Sequence, residues 1–334
     1  MKVGAPRNTR PGIPGLTLTR ADFEAAQRNV APHVYRTPML TSRSLSEACG
    51  LDVRLKAELF QRGGSYKVRG PLNKIARLTE EERARGVICS SAGNHAQGVA
   101  IAARHYGVRA VVVMAENATR SKIAATEGYG ARVVLHGSIW DEANEKALEL
   151  VETDGFTYIH PFDDPDLIAG QGTLGLEIMA QFPEVELVIV PIGGGGLISG
   201  ISMAAKSVKP GVRVIGVESS GAPAMKRSVE AGECIVLEEM GCIIDGLRVL
   251  RVGDNTCSVA SRFVDGIVTL PDAQIFDAML WLMTRAKLVT EGAAASPVGA
   301  LLQGLVDAPP GTKTVCVLSG GNLDVEQLRG LSWN

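Results

Sequence analysis

The sequence predicts an α/β protein built on mainly parallel sheet, and three observations carry the prediction. Short β-rich runs alternate with longer helix-like segments almost throughout the 334 residues, the pattern of repeated strand–helix units. Several runs, such as "AVVVM" (110–114) and "LVIVPI" (187–192), are apolar without interruption, as strands covered on both faces are. Glycine-bearing loops directly follow three of the runs, at the carboxyl ends where open parallel sheets hold ligands.

In chain order, the strands are expected at "DVRLKAE" (52–58), "GVICS" (86–90), "AVVVM" (110–114), "RVVLH" (132–136), "TYIH" (157–160), "LVIVPI" (187–192), "RVIGVE" (213–218), "GIVTL" (266–270) and "TVCVLS" (314–319). Helices fill the intervals, for example 94–107 and 272–288. In the second, Ile275, Met279, Leu282 and Met283 share one face and read as core packing. The chain exceeds the length of a comfortable single core, so two domains are expected. Residues 76–160, with three strand–helix pairs, are expected to form a small domain inserted in a large one made of 1–75 and 161–334.

Composition excludes several function classes. With 46% hydrophobic and 21% charged residues and a net charge of -2, the chain is globular and lacks the basic stripe of a nucleic-acid binder. No apolar run approaches membrane-spanning length. The six cysteines (Cys49, Cys89, Cys234, Cys242, Cys257, Cys316) form no C-x-x-C pair and read as reduced thiols of a cytoplasmic protein. The opening "MKVGAPRNTRPGIPG" has no apolar core segment, so it is read as a mobile arm and not as a signal peptide.

The chemistry concentrates in four stretches. "GGGGLISG" (193–200) strips the side chains from four consecutive residues after a buried strand. Converging backbone N–H groups and a helix start near Leu197 suit a phosphate; a tight glycine turn is the plain alternative. The P-loop lysine and Ser/Thr are absent. "SSAGNHAQG" (90–98) opens a helix at Asn94 and His95, where a helix cap and a satisfied polar residue are the plain readings. "SGGN" (319–322) ends a strand on Ser319, whose hydroxyl needs a partner or a capped turn. "GGSYKVRG" (63–70) places Lys67 among glycines, either as a solvated helix-start residue or as a nucleophile. A nucleophilic lysine with a phosphate cradle, and neither metal nor nucleotide motif, is what pyridoxal phosphate requires. The lysine pKa, ordinarily about 10.4, must then fall by desolvation or nearby positive charge; Arg69 is close in sequence, its direction unknown.

Taken together, these motifs resemble the fold-type II pyridoxal-phosphate enzymes, and within them the serine/threonine dehydratase family. "GSYKVRG", "SSAGNHAQGVA", "GGGGLISG", "EGAAASPVGALL" (291–302) and "SGGN" follow in the family's order from about residue 18 to 325. The resemblance implies a tryptophan-synthase-β-like fold of two open, mostly parallel domains with the cofactor between them. It implies that Lys67 makes the Schiff base and shuttles the Cα proton, and that Asn94 bonds the cofactor's ring oxygen. By the same resemblance, Gly193, Gly194, Gly195, Gly196 and Leu197 would hold the phosphate, Ser319 would meet the pyridine nitrogen, and Glu291 would lie near the cofactor. The backbone amides of Ser91, Ala92, Gly93, Asn94 and His95 grip the substrate carboxylate. A serine at the ring nitrogen does not hold the ring protonated, which favours loss of the β-substituent over transamination.

The implied reaction is β-elimination from L-threonine or L-serine, giving 2-oxobutanoate or pyruvate and ammonia. Tyr66 and Pro71, where phenylalanine and alanine are commoner, leave room for phenylserine, hydroxyaspartate or another β-hydroxy amino acid. Racemases of the family carry a serine at the position of Ala92, so racemisation is disfavoured; a β-replacement synthase usually has a different asparagine loop. Glu218 is the candidate for a divalent-metal ligand, but Ala224 stands where a second carboxylate is expected, and a monovalent cation stays open. "SP" at Ser296–Pro297 is unusual for its helix and is expected to reshape the pocket. The resemblance implies a homodimer or homotetramer, and no regulatory domain after the catalytic unit.

Overall fold

The computed structural model describes residues 15–323. The N-terminal stretch read as an arm lies, save Gly15, outside them. Among the described residues ten strands form two sheets: β1 (Met39–Thr41), β2 (Asp52–Ala57), β3 (Val87–Ser90), β4 (Ala110–Met114), β5 (Arg132–Leu135), β6 (Thr157–Tyr158), β7 (Leu187–Pro191), β8 (Arg213–Ser219), β9 (Gly266–Leu270) and β10 (Lys313–Leu318).

The larger sheet has the order β1-β2-β10-β7-β8-β9 and the smaller β5-β4-β3-β6. All pairings are parallel except the edge pair β1–β2, where Met39 faces Lys56. The nine expected strands form, with ends displaced by at most two residues. Only β1 was not legible, since three residues are too few to show a period. β3, β4 and β7 are buried along their whole length, which accounts for their uninterrupted apolar sequences.

The larger sheet centres the main core, where Val188, Ile189 and Val190 meet Ile198 and Ile201 of the helix Gly196–Val208 and Val298 of the helix Gly292–Leu302. Around the smaller sheet, Val87, Cys89 and Val112 pack with Val99, Ala102 and Ala103 of the helix Asn94–His105. The helix expected over 272–288 stops being α at Trp281 and continues as a π turn, Leu282–Ala286, closed by Lys287 at φ 61°. Pro297 lies inside its helix, and the Ser296 hydroxyl donates to the Ala293 carbonyl at 2.9 Å. That is the carbonyl the missing Pro297 N–H leaves free.

Candidate active site

The segment carrying Lys67 is fixed before the lysine is reached. Gly64 has a φ of 70° and the Asn322 side chain stands where its Cβ would be, so only glycine fits. Ser65 then bridges to Gly320, and the Tyr66 N–H donates to the Ser319 carbonyl at 3.0 Å. A short 3₁₀ turn, Tyr66–Val68, runs into the helix Arg69–Ala76. Gly98 presses on this turn: a Cβ there would lie 2.8 Å from the Lys67 carbonyl oxygen. Lys67 Nζ donates to the Pro161 carbonyl at 2.9 Å. Desolvation lowers its pKa to about 8, against the pull of the Glu291 carboxylate.

Arg69 takes no part in that shift. It points away from Lys67 into a buried cluster, with Nε 2.8 Å from Glu58 Oε2 and Nη2 2.8 Å from Glu58 Oε1 and 2.9 Å from Glu177 Oε2. Lys56 Nζ completes the cluster at 2.6 Å from Glu177 Oε1. Of the two causes left open for activating the lysine, desolvation is the one that operates.

Asn94 is the first residue of its helix, and Gly93 holds the cap position. The Asn94 side chain instead donates to both Glu291 oxygens, at 2.9 and 2.8 Å, and accepts from Asn322 Nδ2 at 2.7 Å. Asn322 Nδ2 also donates to the Gly63 carbonyl, 2.7 Å away. Burial raises the Glu291 pKa to about 7, opposed by the Asn94 amide. His95 Nε2 bonds the Ile159 carbonyl at 2.9 Å, so that nitrogen carries the proton, while the buried Nδ1 has no partner among the described residues. Burial first, and then Lys67, push its pKa down to about 3, and the ring is neutral.

The loop expected to present five amides presents fewer. The Ser91 N–H is already donated to the Val113 carbonyl at 3.2 Å, extending the ladder beside β4, and the Gly93 N–H to Ser91 Oγ at 3.2 Å. Those two amides are engaged; Asn94 and His95 stand in the first turn of a helix, where N–H groups lack intrahelical partners. Ala92 is half-buried beside them.

Gly193, Gly194, Gly195 and Gly196 lead into the helix that contains Leu197. The Phe162 ring stands where a Gly194 Cβ would be, and the Gly246 carbonyl oxygen where a Gly193 Cβ would be. Thr256 Oγ1 donates to the Gly194 carbonyl at 2.8 Å. Ser319, directly after β10, is buried. The Glu218 carboxylate accepts from the Met225 and Lys226 N–H groups at 2.7 and 2.9 Å, at the start of the helix Ala224–Ala231. Among the described residues no cluster of three His, Cys, Asp or Glu side chains could hold a metal.

Sequence reasoning missed His160, Pro161, Phe162, Thr256 and the side-chain role of Asn322. The first three follow β6, so the rule that ligands gather at strand carboxyl ends was the signal available for them.

Residues 30–320 match the family described as "Pyridoxal-phosphate dependent enzyme". The L-threonine ammonia-lyase of Thermotoga maritima is 48% identical over 311 residues, 93% of this chain and 77% of that one. The catabolic L-threonine dehydratase TdcB of Escherichia coli K12 is 44% identical over 314 residues, 94% of this chain and 95% of that one. Among solved structures, maize serine racemase superposes with a TM-score of 0.90 at 34% identity, covering 94% of this chain and 97% of that one.

Proposed function

Since the chain belongs to the pyridoxal-phosphate-dependent enzyme family, we propose that it is an ammonia-lyase acting on L-threonine and L-serine. The products are 2-oxobutanoate or pyruvate, and ammonia. The observation that carries this reading is Lys67: a desolvated amine with pKa about 8, whose Nζ donates to the Pro161 carbonyl.

The residues present fit the cofactor. The Lys67 amine would take its aldehyde, the loop without side chains would seat its phosphate, and the buried Ser319 hydroxyl after β10 would meet a ring nitrogen. When bound, pyridoxal phosphate supplies the electron sink that makes a Cα proton removable. Lys67 Nζ, in the neutral form that its lowered pKa makes accessible, would accept that proton. The N–H groups of Asn94 and His95 bind the substrate carboxylate at the positive end of their helix. Asn94, held between Glu291 and Asn322, donates from a fixed direction. Loss of the Cα proton and the β-hydroxyl amounts to loss of water; the enamine then tautomerises and hydrolyses, releasing ammonia.

The likeness to maize serine racemase favours racemisation as the second reading. Against it stands Ala92, whose methyl group can neither give nor take a proton. In the same proposal, residues 1–75 and 161–334 form the large domain and 76–160 the small one, and the enzyme is a cytoplasmic homodimer or homotetramer. No described helix is long and apolar enough to cross a membrane.

The test is release of 2-oxo acid and ammonia from L-threonine, L-serine, L-phenylserine and L-3-hydroxyaspartate, with D-serine formation assayed in parallel. Threonine and serine are expected to lead. Release from phenylserine or hydroxyaspartate alone would move the substrate, and D-serine without 2-oxo acid would establish the racemase.

A further inference from the structure

One five-residue stretch, Ile159 to Asp163, touches the site's separate parts. Its Ile159 carbonyl accepts from His95 Nε2 at 2.9 Å, and its Pro161 carbonyl from Lys67 Nζ at 2.9 Å. The Phe162 ring backs Gly194, while a Cβ on Gly196 would lie 2.9 Å from the Phe162 carbonyl oxygen. Asp163 Oδ1 accepts from the Thr256 N–H at 3.1 Å, and Thr256 Oγ1 reaches the Gly194 carbonyl. The amine, the loop facing it and the glycine cradle therefore rest on one piece of irregular backbone.

Irregular backbone holds a shape only where something satisfies its polar groups. Here His160 does so. Its Nδ1 accepts the Phe162 N–H at 3.2 Å and the Asp163 N–H at 2.7 Å, closing a turn around Pro161. Because Nδ1 accepts twice, the ring is neutral with its proton on Nε2. The ring is held edge-on by its neighbours, with Phe162 at 4.7 Å and 90° and Tyr158 at 6.1 Å and 71°.

We propose that His160 is a positioning residue: through Nδ1 it locks the Ile159–Asp163 turn that presents the Pro161 carbonyl to Lys67 and backs the glycine loop. The inference deepens the assignment of Lys67 as the cofactor-binding amine and rests on it. His160 itself takes no proton; what it supplies is the direction of the lysine.

Two substitutions separate the ring's nitrogens. H160N places an amide oxygen near the Nδ1 position, so it keeps the turn's acceptor and discards Nε2. H160Q reaches the Nε2 position and discards the acceptor at Nδ1. The measurement is the rate at which Lys67 condenses with added pyridoxal phosphate, water leaving, in the full-length chain freed of cofactor. It is followed by the visible absorbance band, with the unfolding temperature recorded for each protein.

A displaced amine is expected to slow condensation in H160Q by ~100-fold, the scale of a misplacement of about 1 Å, without a matching change in unfolding temperature. H160N is expected to recover to within about 3-fold of the unsubstituted chain, since the two acceptor contacts survive. The inference is overturned if H160Q condenses as fast as the unsubstituted chain, or if H160N is as slow as H160Q, which would assign the effect to Nε2. If H160Q does not fold, H160N alone decides, a slow H160N overturning the inference. An unsubstituted chain that never develops the band would overturn the assignment of Lys67 and this inference with it.

Discussion

Lys67 is set apart from an ordinary lysine by what surrounds its amine: a backbone carbonyl at 2.9 Å and desolvation that outweighs the pull of Glu291. With a pKa of about 8, the amine is protonated and unreactive below that pH. In the cofactor-free chain, condensation with pyridoxal phosphate is therefore expected to accelerate about tenfold per pH unit up to about 8 and then level off. A profile still rising to pH ~10, the range of an ordinary lysine, would show that Lys67 is solvated. Lys67→Ala is expected to lower 2-oxo acid release by at least about 10²–10⁴-fold, the share of proton transfer alone. Lys67 was legible because glycines and a distant phosphate-type loop accompany it in the sequence. Asn322 and His160 were not, because each acts on a residue far along the chain: Asn322 on Asn94, 228 positions away, and His160 on a turn whose guest, Lys67, lies 94 positions from Pro161. The direction of Arg69 was equally hidden, since Glu58 and Glu177 become its partners only when two helices and a 3₁₀ turn meet.

At the scale of elements, two features hold the lysine segment. The helix Asn94–His105 lies against it at Gly98, and the buried Arg69 cluster anchors the helix that follows. Gly98→Ala forces a Cβ to 2.8 Å from the Lys67 carbonyl oxygen. Overpacking of this kind costs about 1–3 kcal/mol, and the displaced backbone is expected to slow cofactor condensation as well as lower the denaturation midpoint. Glu58→Ala leaves Arg69, which is 1% exposed, with Glu177 as its one remaining carboxylate partner. Loss of one partner of a buried pair costs about 3–5 kcal/mol, measurable by urea unfolding. A loss below about 1 kcal/mol, the worth of a surface pair, would contradict the anchoring role. Strand–helix alternation, with uninterrupted apolar runs at several of the strands, made nine strands readable; the short antiparallel β1 and the π turn at Leu282–Ala286 follow from packing and pairing that no local period encodes.

At the scale of the molecule, residues that gather at the site come from both sheets: Asn94 and His95 follow β3 and His160 follows β6, whereas Gly193 follows β7 and Ser319 follows β10. A ligand that bridges these strand ends binds the folded chain and not the unfolded one. Pyridoxal phosphate at about 100 times its Kd is therefore expected to add roughly 2.7 kcal/mol of stability, seen as a higher unfolding temperature. An unfolding temperature unmoved by the cofactor would contradict a site assembled this way. The parallel sheets and the order of the motifs were readable at this scale because each motif sits at a strand's carboxyl end. The count of free amides near Ser91 was not, since the pairing of its N–H with Val113 belongs to the sheet. The central claim is that Lys67 is the amine that takes the cofactor. Reducing the loaded enzyme with borohydride, digesting it and mapping the cofactor-bearing peptide tests that claim most directly. The cofactor's mass is expected on the peptide that contains Lys67; its attachment to any other lysine, or to none, would refute that assignment.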